Sequence, residues 1–240
     1  MADFKIGVTM ETTNKANERR TTMTNNAMIE LMKNNYEVAI ENMKVTVFNV
    51  DSIPDEVYSI QIQQSDLAFV FLCKVDNDKY IKVTKEMVSE WKKHNNLDMM
   101  LVHAMETTER HHKVRIETLP GMLEMLGVRL GVDYDAGPDT AEKKCLVVTT
   151  ENGYLGASAL FYHWTFDRLS FELGTREFMV IPSSIHEFLV LPFGAVDVCE
   201  GNEMVKSVNA TEVLPAERLA NHVFYYGVDK NGNRKFISLG

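Results

Sequence analysis

Residues Glu177–Pro192 read EFMVIPSSIHEFLVLP. Two apolar runs, Phe178–Ile181 and Phe188–Leu191, flank a single polar island, Ser183-Ser184-Ile185-His186-Glu187. Each run has the length of a strand and the island has the length of a turn, so the stretch predicts a β-hairpin. A hydroxyl pair, an imidazole and a carboxylate are thereby pinned between two rigid elements.

The pattern extends in both directions from this hairpin. Downstream, Asn202–Asn209 and Pro215–Ala220 read as helices. Val223–Val228 and Lys235–Leu239 read as a terminal hairpin around Asn231-Gly232, a dipeptide that favours the tight turns joining adjacent strands. Upstream, Cys145–Thr150 reads as a strand, followed by a turn at Glu151-Asn152-Gly153. The small-residue segment Gly156–Leu160 then leads into a helix over Tyr162–Leu173, closed by Gly174 as a left-handed cap. Residues 133–142, DYDAGPDTAE, form the strongest linker candidate.

Before the linker, Leu67–Val75 is apolar throughout, as a central strand buried on both faces would be. Val45–Val50, Tyr58–Gln64 and Tyr80–Val83 read as further strands, with a turn at Asn77-Asp78. Thr84 caps a helix from Lys85 to His94 with Met87, Val88 and Trp91 on its buried face. Leu97–His111 and Leu119–Leu126 read as helices, the second with Pro120 in its first turn, where proline is tolerated. A helix capped by Asn25 or Asn26 is expected to run to about Met43, because Met28, Met32, Tyr36, Ala39, Ile40 and Met43 share one face. Residues 4–10 suit a short strand and residues 11–24 a polar loop. Strands and helices interleave without a βαβ rhythm. The expected fold is α+β, with a mixed, largely antiparallel sheet and helices packed on it. An N-terminal part over 1–132 and a C-terminal part over 143–240 are expected on either side of the linker.

Composition narrows the class. The chain has 240 residues, 45% hydrophobic and 25% charged, the balance of an ordinary globular protein. A chain of this length buries roughly 70% of its unfolded surface and needs no disulfide or metal staple. No apolar run reaches the roughly 18 residues of a membrane span. Met1–Lys5 shows no basic segment followed by an apolar one, so no secretory leader is expected. The net charge of −9 argues against nucleic acid or an anionic membrane as partner. Cys73, Cys145 and Cys199 are odd in number and widely spaced, as in reduced cytoplasmic proteins. Cys145 opens an apolar strand and Cys199 stands between Asp197 and Glu200, neither being the electropositive setting of a reactive thiol.

Several stretches of the C-terminal hundred residues resemble a known family. They are Leu146–Glu151, Gly156–Leu160, Ile181–Glu187, Met204–Val213 and Pro215–Tyr226, in order. Together they resemble an uncharacterised bacterial family, the domain of unknown function numbered 5688, related to the one numbered 1444. The likeness is specific over residues 145–226 and in outline only over Leu67–Gly127, while the first 60 residues are too divergent and too short to match. It implies an α+β architecture, a cytosolic location and an origin in clostridial-type bacteria and their mobile elements. It brings no catalytic assignment.

Candidate chemistry centres on the island. By period two, Ser184 and His186 share one face and Ser183 and Glu187 the other. A hydrolase reading makes Ser184 the nucleophile and His186 its base, with Glu187 nearby. The chain lacks the GxSxG elbow, and no aspartate is placed by sequence to orient His186. The bland alternative is a turn held by side-chain to backbone bonds. His222 with His186 and Glu187 would make a His/His/carboxylate metal set, although the spacing is unspecific. His111-His112, beside Arg110 and Lys113, form a basic cluster suited to a helix C-terminus. Gly153-Tyr154-Leu155-Gly156 lies between a strand and a helix, as phosphate loops do, but lacks their lysine and full glycine pattern. The aromatics Phe161, Tyr162, Trp164, Phe166 and Phe171 are expected mostly in the core. No metal or cofactor is expected.

The leading expectation is a non-catalytic cytoplasmic protein that binds a partner protein or a small molecule, with Ser183, Ser184, His186, Glu187 and His222 as the ligand-binding candidates. The alternatives are a small hydrolase-like or metal-dependent enzyme centred on the island, and a mobile-element or phage accessory protein acting on a host protein.

Overall fold

The computed structural model describes residues 27–76, 79–119, 121–122 and 145–240. The strand expected at 4–10, the loop at 11–24, the Asn77-Asp78 turn and the linker at 133–142 lie outside these residues, as does most of the helix expected at Leu119–Leu126.

The first helical region is two helices rather than one. Helix α1 covers 27–34 and α2 covers Tyr36–Glu41. Between them Asn35 leaves the helical path, and its side chain accepts from the Val38 amide as the cap of α2. Met43 is not helical, contrary to its periodic position. It opens strand β1, Met43–Asn49, where it pairs with Cys73. Strand β2 is only Ser59–Gln61, shorter than its alternation suggests. Strand β3, Leu67–Asp76, is the centre of this first sheet. It pairs antiparallel with β1 on one side, and with β2 and β4 (Lys79–Lys82) on the other. Helix α3, Lys85–Lys92, carries the expected Thr84 cap and buries Met87, Val88 and Trp91. Helix α4 follows over Met100–His111. Its Thr108 hydroxyl accepts from the Val45 amide at 2.8 Å, satisfying a donor on the free edge of β1. The helices pack on one face of this sheet, burying Met32, Val45, Phe71, Cys73 and Trp91 together.

A second sheet has the order β10 (Arg234–Ser238), β9 (Phe224–Val228), β7 (Glu177–Ser184), β8 (Glu187–Pro192), β6 (Leu146–Thr150) and β5 (Val114–Thr118), antiparallel throughout. Its first strand, β5 (Val114–Thr118), is one that the sequence reading did not anticipate. It pairs with β6, Leu146–Thr150, across the linker segment. A six-residue 3-10 segment, Gly156–Phe161, then precedes helix α5, Thr165–Leu173, which Gly174 ends at φ 68°. Strands β7, Glu177–Ser184, and β8, Glu187–Pro192, form the expected hairpin. Helix α6 is Val198–Thr211, and the helix expected at Pro215–Ala220 shrinks to a 3-10 turn over Pro215–Glu217. Strands β9, Phe224–Val228, and β10, Arg234–Ser238, complete the sheet, with Gly232 at φ 82° in their turn.

Strand alternation sorts the second sheet's side chains into two cores. Phe178, Val180, Phe188 and Val190 face a large core shared with Val47, Val70 and Leu72 of the first sheet. Met179, Ile181 and Leu191 face the other way, onto Val205 of α6. Phe161 sits where the two sheets meet, its ring 5.2 Å from Phe69 and 5.0 Å from Phe236 by centroids. Tyr162 and Phe166 are buried, whereas Trp164 and Phe171 are 67% and 85% exposed.

Candidate functional site

The β7–β8 turn begins with a bulge. Pairing runs regularly to Pro182–Phe188 and then shifts so that Ser184 opposes Glu187. Ser183 is the extra residue, and its hydroxyl donates to Glu187 Oε1 at 3.1 Å. Ser184 Oγ accepts from the His186 amide at 3.1 Å, the local bond by which serine stabilises a turn. The Ile185 amide donates to the Glu217 carbonyl at 2.9 Å, and the Ile185 carbonyl accepts from the Ala157 amide at 3.3 Å.

His186 is held on three sides. Its carbonyl accepts from Thr149 Oγ1 at 2.8 Å. Its ring lies 5.5 Å from that of Tyr154. Its Nδ1 accepts from the Leu155 amide at 3.0 Å. An amide N–H donating to Nδ1 places the ring proton on Nε2, which faces Glu217 Oε1 at 3.6 Å. Ser184 Oγ and the imidazole are therefore each bonded to backbone rather than to one another.

Gly156 permits this packing. A Cβ there would run into the Thr149 hydroxyl, the His186 carbonyl and the Thr150 amide. The segment 153–157 thus brings backbone close to the sheet, and its Leu155 and Ala157 amides are spent on His186 and Ile185. Leu155 adopts φ 49°, a left-handed conformation unusual for leucine.

His222 lies elsewhere, on the segment entering β9. Two asparagines of α6 fix this segment. Asn209 Nδ2 donates to the Ala220 carbonyl at 2.7 Å, and Asn202 Oδ1 accepts from the Val223 amide at 2.8 Å. His222 Nε2 is buried 3.2 Å from Asp66 Oδ1, misaligned for a hydrogen bond, so electrostatics couples the two. Asp66 also accepts from Ser238 Oγ and Asn49 Nδ2, each at 3.2 Å. Burial pushes the Asp66 carboxyl up. The contact with His222 and the bonds from its own amide and Ser238 outweigh burial and hold it below the usual carboxylate range. The pair lines a cleft of about 360 Å3 whose wall includes Asp51, Ser52, Arg218 and Asn221.

His186 and His222 thus stand against different carboxylates, Glu217 and Asp66. Among the described residues no three His, Cys, Asp or Glu side chains converge to hold a metal ion. Cys73 and Cys145 are unpaired, and burial pushes their thiols up to about 12 and about 11. Cys199 is exposed and unpaired. Asp66, Asn49 and Glu217 carry no signal of their own in the sequence, since long-range contacts alone bring them to the histidines. β5 does carry one: Val114-Arg115-Ile116-Glu117-Thr118 alternates apolar and charged residues.

No described helix is long and apolar enough to cross a membrane. No curated protein and no solved structure matches the chain. A family model does match, over residues 12–227, and on that extent the protein belongs to the family of unknown function DUF5688.

Proposed function

We propose that this protein is a non-catalytic cytoplasmic binding protein that takes a small polar molecule in the cleft beside Asp66 and His222. The observation that carries this reading is the Asp66–His222 pair on the wall of an open cleft. Arg218 and Asn221 offer donors there, and Asp51 and Asp66 offer acceptors, which suits a ligand bearing both kinds of group. The island contributes indirectly, its Ile185 amide and His186 ring holding the turn against Glu217 and so setting the neighbouring Arg218–His222 segment. Three unpaired cysteines favour a reducing compartment.

Native mass spectrometry of gently purified protein, beside a denatured control, is the first test. A stoichiometric mass excess is expected, lost on denaturation and absent from His222→Ala. A thermal-shift screen against a panel of small polar metabolites covers a ligand lost in purification. No stabilising compound, or stabilisation unchanged in His222→Ala and Asp66→Asn, overturns the reading.

A further inference from the structure

Strand β1 reads MKVTVFN, and its residues from Met43 to Val47 are all buried. One of them is a lysine. Lys44 is only 3% exposed. Burying an ammonium is costly unless an opposite charge meets it. Among the described residues Lys44 forms no ion pair. Its Nζ donates to the Tyr154 carbonyl at 2.9 Å and lies 5.7 Å from the centroid of the Tyr154 ring. Burial pushes its pKa down to about 8.

Lys44 lines a cleft of about 350 Å3 together with Glu41, Lys74, Tyr80, His111 and His112. Glu41 is the carboxylate on that wall, and both its oxygens are taken. Arg110 Nη1 reaches Oε1 at 2.6 Å, and His111 Nε2 reaches Oε2 at 3.2 Å. Lys74 is exposed and forms no ion pair among the described residues. It comes from β3, the strand paired with β1, so two ammonium groups on adjacent strands flank one space. His112 is half-buried and is pushed down to about 4, first by burial and then by the positive charge of Lys44, His111 and Lys74. It stays neutral at pH 7 and offers a hydrogen bond without adding charge. In a chain of net charge −9, two lysines without an ion pair among the described residues line this one cleft.

We propose that this cleft binds a phosphate group, free or carried on a small monoester. Two cations match a dianion. Ammonium groups act as point charges that meet tetrahedral oxygens from different directions, whereas a planar carboxylate is better met by an arginine fork. The site stands apart from the Asp66–His222 cleft. Lys44 and Asn49, near the two ends of β1, are about 17 Å apart at strand rise, so either site can fail without the other.

The test is titration of the purified chain at low ionic strength with inorganic phosphate, glycerol 3-phosphate and acetate, followed by calorimetry and by the ring signals of His111 and His112. Saturable binding of a phosphate species is expected, with the His112 titration moving to higher pH as the anion offsets Lys44 and Lys74. Lys44→Met keeps the side chain's bulk and removes its charge, and is expected to weaken binding about tenfold or more. Lys74→Ala, at an exposed position, is expected to weaken it about three- to tenfold. Tighter binding of glycerol 3-phosphate supports the site and assigns it to a monoester, while tighter binding of inorganic phosphate supports it and assigns it to the free ion. No saturable binding, affinity unchanged in both variants, or acetate binding as tightly as phosphate overturns the proposal.

Discussion

At the β7–β8 turn, Ser183 donates to Glu187, Ser184 accepts from the His186 amide, and His186 accepts from the Leu155 amide. Beside β1, Lys44 and Lys74 line a common cleft, and neither forms an ion pair among the described residues. The first region draws attention in the sequence because serine, histidine and glutamate are adjacent. The second is inconspicuous, a lone lysine in an apolar strand. Adjacency in sequence supplied local bonds to Ser183, Ser184 and Glu187, and the Leu155 amide, 31 residues away, takes His186 Nδ1. A polar group brought by the fold into a place where the chain does not satisfy it retains a capacity for something else.

Four measurements would break or sharpen that contrast. Gly156→Ala should have the largest effect, because its new Cβ meets backbone of both β6 and the turn. A loss of about 3 kcal/mol in urea unfolding is expected. A loss under about 0.5 kcal/mol would mean that the turn is loosely built. Lys44→Met should instead stabilise the chain, by about 1–2 kcal/mol at pH 7, since removing a buried charge outweighs losing the bond to the Tyr154 carbonyl. The native chain has its own signature. Lys44 titrates near 8 folded and about 10.4 unfolded, so the unfolded state binds more protons between those values. The Lys44 contribution therefore rises with pH through that window, against the fall contributed by the buried Cys73 and Cys145 thiols, so the stability gained by Lys44→Met over the native chain shrinks as pH rises from about 8 to about 10. Destabilisation by Lys44→Met would make the lysine structural and collapse the contrast.

His186→Ala should cost about 1–2 kcal/mol, through the orphaned Leu155 amide and the lost contact with Tyr154. A change in ligand retention without that cost would return the island to functional standing. The smallest effect is expected from Asp66. Its folded pKa is depressed, so its contribution is present above the unfolded value and is lost as pH falls through the folded one. Asp66→Asn should flatten the acid limb of the stability profile, and an unchanged limb would show that His222 and Asp66 are not coupled.

Much of the fold was legible because its causes are local. Thr84 before an amphipathic run, Gly174 after one, and Asn231-Gly232 between two strands each act within a few residues. Two of the misreadings arose where a distant partner overrode a local pattern. Met43 continues a helical stripe but pairs with Cys73 in the first sheet. Val114–Thr118 alternates as a strand should, yet follows closely on a helix and gains its partner only across the linker segment.

Of the candidate residues, His222 alone lines the cleft to which the binding reading is attached, and its partner Asp66 lies 156 positions away in the sequence. Lys44 shows the same limit from the other side. Apolar periodicity, capping residues and turn dipeptides determined the α+β class and the β7–β8 hairpin by themselves, because hydrogen-bond geometry and burial act on neighbours along the chain. Which polar atoms are satisfied and which remain open was decided only by the tertiary structure, because the pairing of β1 with β3 and the docking of Glu41 against Arg110 and His111 join groups that the sequence keeps apart.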